Sequence, residues 1–249
     1  MKKYSVRSMT LAVLAVVAGS ALMAGSAAAR SGVSVRVEGP NSTLVPLTTV
    51  QLHAGSITKD GNSADSCSGL SGAGALQVAT RGHWNATWYN SPPGYLVTTI
   101  YGVDLPTTGT MYWNLWFDGK PATLGVCGLM PKAGDSILLF PDCATPGASC
   151  VSPNVLGMSA PTVALVGHKV MVKVTSYANA DGKPSPAVGA TVSGGGKQAT
   201  TASGGHAQLT FTRAGNVTLR ATAPNSIRSE THVLCVHRKG DGRCGTRKG

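Results

Sequence analysis

Six cysteines behind an export-type leader constrain this chain more than any other feature. The leader opens with Lys2, Lys3 and Arg7 and continues as an apolar run from Met9 to Met23, broken only by Thr10, Gly19 and Ser20. It ends in Ser26-Ala27-Ala28-Ala29. A basic start, an apolar middle and a small-residue end are the parts of a secretory signal peptide, so residues 1–29 are predicted to be cleaved after Ala29. The competing reading is a retained anchor, because the apolar run is nearly long enough to span a bilayer. The small-residue ending favours cleavage, and no second run of spanning length follows. The mature chain is therefore expected to be secreted, extracellular or associated with the cell surface, without a transmembrane anchor. Cys67, Cys127, Cys143, Cys150, Cys235 and Cys244 all lie beyond the leader. An even set in an oxidising compartment predicts three disulfides, with about fifteen possible connectivities.

Short alternating runs between Gly and Pro turns predict antiparallel β structure. In the first half Val33, Val35 and Val37 face one way, and Ser34 and Arg36 the other. Further strands are expected at 48–53, 84–89, 95–101, 111–117 and 136–140. Lys59-Asp60-Gly61-Asn62 and Asp118-Gly119 read as turns. One helix is expected over 66–80, because Leu70, Ala73, Leu76 and Ala79 recur at helical spacing and Gly82 follows them. Gly69, Gly72 and Gly74 weaken it, at about 1 kcal/mol each relative to Ala. Residues 144–160 are rich in Pro, Ser and Gly and are expected to be a linker. The second half, 161–237, is expected to be an antiparallel sandwich, with Val170, Val172 and Val174, then Ala207, Leu209 and Phe211, then Val217, Leu219 and Ala221 facing inward. The fold class expected is mainly β: a small α+β domain over 33–143, then the sandwich, then a basic tail over 238–249.

The pieces Val35-Arg36-Val37-Glu38-Gly39, Gly74-Ala75-Leu76, Tyr112 to Ala122 and Leu129 to Leu138 resemble a secreted bacterial domain family of unknown function described as transcobalamin-like at its C-terminus. The cysteines and extra tryptophans resemble its actinobacterial branch. That resemblance implies a β-grasp-like fold, with one helix on a mixed sheet. The pieces Pro186 to Val192, Thr200 to Gly205 and Ala214 to Thr222 look like a bacterial immunoglobulin-like or carboxypeptidase-regulatory-like module. Such modules serve as spacers or binding platforms, and the fold alone names no ligand.

All four tryptophans, Trp84, Trp88, Trp113 and Trp116, lie in the first half. Trp113, Leu115 and Phe117 are expected in the core, which leaves Tyr112 and Trp116 on the opposite strand face. Trp84, Trp88, Tyr112 and Trp116 are the candidate ligand-binding residues, as an aromatic platform for sugar rings or peptides; the alternative is that they fill the core. A ring-shaped or corrinoid-like ligand is implied by the resemblance alone. In that family a separate helical domain holds most of the corrinoid, and no such domain is read here. No cofactor is expected. Cys235-x-His237 with Cys244 is not a four-ligand zinc pattern. A Cys235–Cys244 disulfide is expected instead, with Cys143–Cys150 closing a linker loop. Cys67–Cys127 completes that set, and Cys127–Cys143 is the competing pairing.

No Gly-x-Ser-x-Gly elbow, His-Glu-x-x-His or phosphate loop occurs, and Asp104, Asp118, Asp135 and Asp142 sit in turn-like contexts. No enzyme is expected. The full sequence carries +11. Removing the leader leaves eighteen basic and ten acidic residues, +8. Such a charge suits cell-wall polysaccharide or another surface protein as partner. The cations, scattered except at the extreme C-terminus, and the export signal argue against nucleic acid. The function expected is a secreted binding or adhesion module, with a small-ligand carrier or a structural spacer as alternatives.

Overall fold

A computed structural model describes residues 32–105, 109–147, 150–240 and 244. The expected leader and most of the basic tail fall outside these residues. The structure is mainly β with several sheets, and no helix among the described residues is long and apolar enough to cross a membrane.

The first unit contains β1 (Val33–Glu38), β2 (Thr43–Val50), β3 (Ser56–Ile57), β4 (Cys67–Ser68), α1 (Gly72–Ala79), β5 (Trp84–Asn90), β6 (Pro93–Ile100), β7 (Val103–Asp104), β8 (Met111–Phe117), β9 (Lys120–Pro121) and β10 (Ser136–Cys143). Its main sheet has the order β2-β1-β10-β8-β9. The sheet is mixed, because β1 and β10 run parallel. The helix packs on β1 and β2. A second sheet, β5-β6-β7, closes the core from the side. That core gathers Val35 and Val37 from β1, Leu76 from α1, Trp84 and Ile100 from the second sheet, and Leu139 from β10. Between β8 and β9, Asp118 and Gly119 both take positive φ, 46° and 75°. This is the type I′ geometry for which Asp-Gly is suited.

The helix is shorter than its apolar spacing predicts. It starts at Gly72, behind Ser71, whose hydroxyl accepts from the Ala73 amide. Cys67 and Ser68 are strand instead, and Leu70 is exposed. The glycines explain the shift. The chain before the helix doubles back so tightly that a Cβ on Gly74 would lie 1.8 Å from the Gly69 carbonyl oxygen. Glycines that weaken a helix in isolation here permit the close approach.

The second unit contains β11 (Asn154–Ser159), β12 (Val163–Leu165), β13 (Lys169–Tyr177), β14 (Pro184–Pro186), β15 (Thr191–Gly194), β16 (Lys197–Thr200), β17 (His206–Thr210), β18 (Gly215–Thr222), β19 (Ser226–Ile227) and β20 (His232–His237). One sheet runs β14-β13-β11-β19, with β17 also on β13; the other runs β12-β20-β18-β15-β16. Val170, Val172 and Val174 face Leu219, Leu234 and Val236 across the sandwich. Lys169, Met171 and Lys173 alternate outward. The expected linker, 144–160, needs correction. Its residues 154–159 form β11, which pairs along β13 and buries Leu156. Pro153 and Pro161 bound a seven-residue run in which Val155 and Leu156 are buried side by side without alternation, so it read as connecting chain.

The two units meet over a third apolar cluster. Trp116 and Phe140 from the first unit pack on Val155, Tyr177 and Ile227 from the second. Polar contacts flank it. Glu38, fully buried, lies 3.4 Å from the Arg228 guanidinium and 3.9 Å from Arg36. Asp142 accepts from Asn114 at 2.7 Å and from Asn179 at 3.0 Å. Burial on this side is why all six residues of β1 are enclosed, including Ser34, Arg36 and Glu38. Burial pushes the Glu38 carboxyl up, against the attraction of Arg36, the Thr43 hydrogen bond and Arg228. Burial likewise lowers Arg36, against the attraction of Glu38. The buried charges therefore lose more to desolvation than their pairing returns.

Candidate functional site

The aromatic residues of the β5–β6 hairpin organise the strongest candidate site. Trp84 and Trp88 are four residues apart on β5, so their rings leave the strand on one face. Trp84 is enclosed. Its indole N–H donates to Gln77 Oε1 of α1 at 2.8 Å, and Lys59 Nζ stands 4.5 Å from its ring centre. Trp88 is half-buried and packs edge-on against Tyr95, its cross-strand partner, at 4.9 Å. The Tyr95 hydroxyl accepts from the Lys59 amide at 2.9 Å. It also lies within hydrogen-bond reach of the Asp60 carboxylate and the Asp65 carbonyl. Burial, then the neighbouring Asp60, holds this phenol above its ordinary range. Burial also raises Asp65, together with its hydrogen bond to Asp60. Asp60 is lowered: burial opposes ionisation, but the Asn62 amide and the Tyr95 hydroxyl outweigh it. These bonds pin the 59–65 turn beneath the hairpin.

On the outer side of Tyr95 the hairpin and the 123–128 loop enclose an open cleft of about 390 Å³. Tyr89, Pro92, Leu96 and Leu124 form most of its apolar wall, and none of its lining residues is charged. Tyr89 is 44% exposed and Leu124 55%. The loop is anchored from several directions. The Val126 and Leu129 carbonyls accept the Ala73 and Gly72 amides, at 2.8 and 2.7 Å. Donors left open at a helix start thus fix the loop that bounds the cleft. Cys127 is bonded to Cys67, and the Tyr95 amide donates to Cys127 Sγ at 3.2 Å. The cleft is therefore largely preformed, with the size range and apolar wall of a small-ligand site.

The four residues expected to bind do not share a surface. Trp84 is buried in the first core and Trp88 sits half-buried beside the cleft. Tyr112 is half-buried across the β8–β10 register from Asp142; burial, then that carboxylate, raises its phenol. Trp116 is 1% exposed and packs edge-on to Phe140 in the junction between the units. Its indole N–H has no hydrogen-bond partner. Strand alternation does separate Trp116 from Trp113, and the second unit covers the face on which it puts Trp116. Tyr89, Pro92, Leu96 and Leu124 were not singled out. The available signal was the Ser91-Pro92-Pro93-Gly94 turn directly after an aromatic strand.

The cysteines form Cys67–Cys127, Cys143–Cys150 and Cys235–Cys244, with Cα separations of 5.0, 5.8 and 5.0 Å. The competing Cys127–Cys143 pairing is absent, since Cys143 ends β10 and bonds to Cys150. Cys235 is spent in a disulfide and offers no thiolate to a metal. No group of three metal-ligating side chains occurs among the described residues. Comparison with protein-family models, with curated proteins and with solved structures returned no match.

Proposed function

We propose that this chain is an exported, non-catalytic binding module whose first unit holds an uncharged apolar or ring-bearing group. The observation that carries this is the preformed cleft walled by Tyr89, Pro92, Leu96 and Leu124, apolar and without a charged lining residue. A neutral lining favours a neutral occupant, because an unpaired charge would be desolvated there without compensation. Three disulfides suit an exported scaffold. The absence of a recognised nucleophile, metal or phosphate-loop motif in the sequence supports binding without chemistry. The transcobalamin-like and immunoglobulin-like resemblances belong to the same proposal, as a ligand-holding unit carried on a second, platform-like unit.

The test uses the leaderless, oxidised chain and two variants, Leu124→Asp and Tyr89→Ala. Their probes are insoluble cell-wall material and cyanocobalamin, with binding followed by sedimentation and by tryptophan fluorescence. Binding of one probe by the parent chain, weakened about tenfold or more by Leu124→Asp with the circular dichroism unchanged, is expected. Equal binding by parent and both folded variants overturns the cleft as the site.

A further inference from the structure

The two units differ in charge far more than the net value shows. Residues 30–143 carry six basic and seven acidic residues, −1; residues 144–249 carry twelve and three, +9. The topology of the sandwich sorts those cations. Val155 and Tyr177, at one end, pack in the junction with the first unit. At the opposite end, Lys169 begins β13 opposite Thr210, the last residue of β17. The turn after β17 carries Arg213 and leads into Gly215, which lies opposite Val236 near the end of β20. His237, Arg238 and Lys239 follow there, with Leu165 of β12 alongside. Gly195, in the β15–β16 turn just before Lys197, packs near Val217 and Phe211 at the same end.

Lys169, Lys197, Arg213, Arg238 and Lys239 are all exposed. Lys169, Lys197 and Arg213 take part in no ion pair with a carboxylate among the described residues. Two of the three acidic side chains of the second unit stand elsewhere; the third, Asp241, lies in sequence between Lys239 and Arg243, outside the described residues. Asp181 pairs with Lys183 in the hairpin beyond Tyr177, at the junction end. Glu230 lines the junction beside Arg36 and Trp116. The Cys235–Cys244 disulfide folds the chain back toward β20, and Arg243, Arg247 and Lys248 lie in sequence around it.

We infer that the end of the sandwich remote from the first unit is a docking surface for a linear anionic polysaccharide. A predominantly positive field, spread over several strand ends and turns, suits a repeating polyanion better than one compact anion. An anionic bilayer fits less well. Interfacial binding relies on aromatic or apolar side chains entering the headgroup layer, whereas Phe211, the aromatic at this end, is buried. Duplex DNA is an outcome the experiment separates. The surface does not depend on the cleft, so either proposal can fail alone.

The experiment compares the leaderless, oxidised chain with two triple variants that each remove three positive charges. One is Lys169→Gln/Arg213→Gln/Lys239→Gln, at the proposed surface. The other is Arg81→Gln/Lys120→Gln/Lys132→Gln, on exposed sites of the first unit. The probes are polygalacturonate, neutral dextran, phosphatidylglycerol vesicles and duplex DNA, over a sodium chloride series. Expected are binding to polygalacturonate but not dextran, weakening with salt, a loss of about tenfold in the first variant, and little change in the second. Leu124→Asp leaves this binding intact. Equal losses in both triple variants reduce the effect to net charge and overturn the assignment. So does tighter binding to vesicles or DNA, or no binding to polygalacturonate.

Discussion

Trp116 tests whether the two units are joined by a true core. The side chain is 1% exposed and is surrounded by Phe140, Val155, Leu138, Tyr177 and Ile227. An indole buries on the order of 200 Å². At about 25 cal/mol per Å², that is roughly 5 kcal/mol of transfer free energy lost in Trp116→Ala. One term runs the other way. The indole N–H is buried without a partner, and removing such a donor returns roughly 1–3 kcal/mol. The net expected loss is about 3 kcal/mol, near the low end for a buried aromatic replaced by alanine. Trp116→Phe separates the terms: it keeps a ring, drops the orphan donor, and is expected within about 1 kcal/mol of the parent chain. Urea denaturation of the oxidised proteins measures both. The remaining tryptophans report the first unit, while circular dichroism reports both units. In the parent chain the two signals should coincide, and in Trp116→Ala the midpoint should fall. A loss below about 1 kcal/mol in Trp116→Ala, with a folded parent, would refute the claim that this residue sits in a load-sharing junction core.

Gly74→Ala is expected to destabilise by about 2 kcal/mol or more, although alanine is the better helix former by about 1 kcal/mol; the new Cβ has no room beside the Gly69 carbonyl, and a thermal melt of the variant reads the sign. Opening Cys67–Cys127, which spans 60 residues, is expected to cost about 4 kcal/mol, against about 2.5 kcal/mol for Cys143–Cys150, which spans 7. Paired Cys→Ser variants under denaturant give that order directly. Glu38→Gln reports on the buried charge. The folded carboxyl is raised above its unfolded value, so the parent holds its full Glu38 contribution below about pH 4 and loses it as pH rises through the folded value. The parent's stability relative to Glu38→Gln should therefore fall over the window that opens at about pH 4 and closes at the folded value. A parent that gains on the variant over that window would mean that Arg36 and Arg228 outweigh desolvation.

Much of the fold was legible because it rests on local rules. Val170, Val172 and Val174 announced their buried face by alternation, and Asp118-Gly119 announced a two-residue hairpin. The failures share a different cause. Which face of β1 and of β8 meets solvent depends on Val155, Tyr177 and Arg228, far along the chain, and no local pattern encodes their return. Alternation therefore put Trp116 and Arg36 on the faces opposite Trp113 and Val35 without showing that the second unit covers those faces. The helix began late for a similar reason, since Gly69 and Gly74 record a backbone crossing that periodicity does not register. Of the aromatic residues grouped as candidates, the fold separates Tyr112 and Trp116 from Trp84 and Trp88 of β5, which it keeps together. The cleft beside them needed the 123–128 loop, placed by a disulfide whose partner lies 60 residues away.

Peptide mapping of the chain recovered from an exporting host, under non-reducing conditions with free thiols alkylated, tests the oxidised scaffold most directly. Expected are an N-terminus at Arg30 and three linked peptide pairs, joining Cys67 to Cys127, Cys143 to Cys150 and Cys235 to Cys244. Six alkylated thiols or a Cys127–Cys143 link would contradict it, because the loop that walls the cleft would then have lost its tether; a retained leader would contradict export.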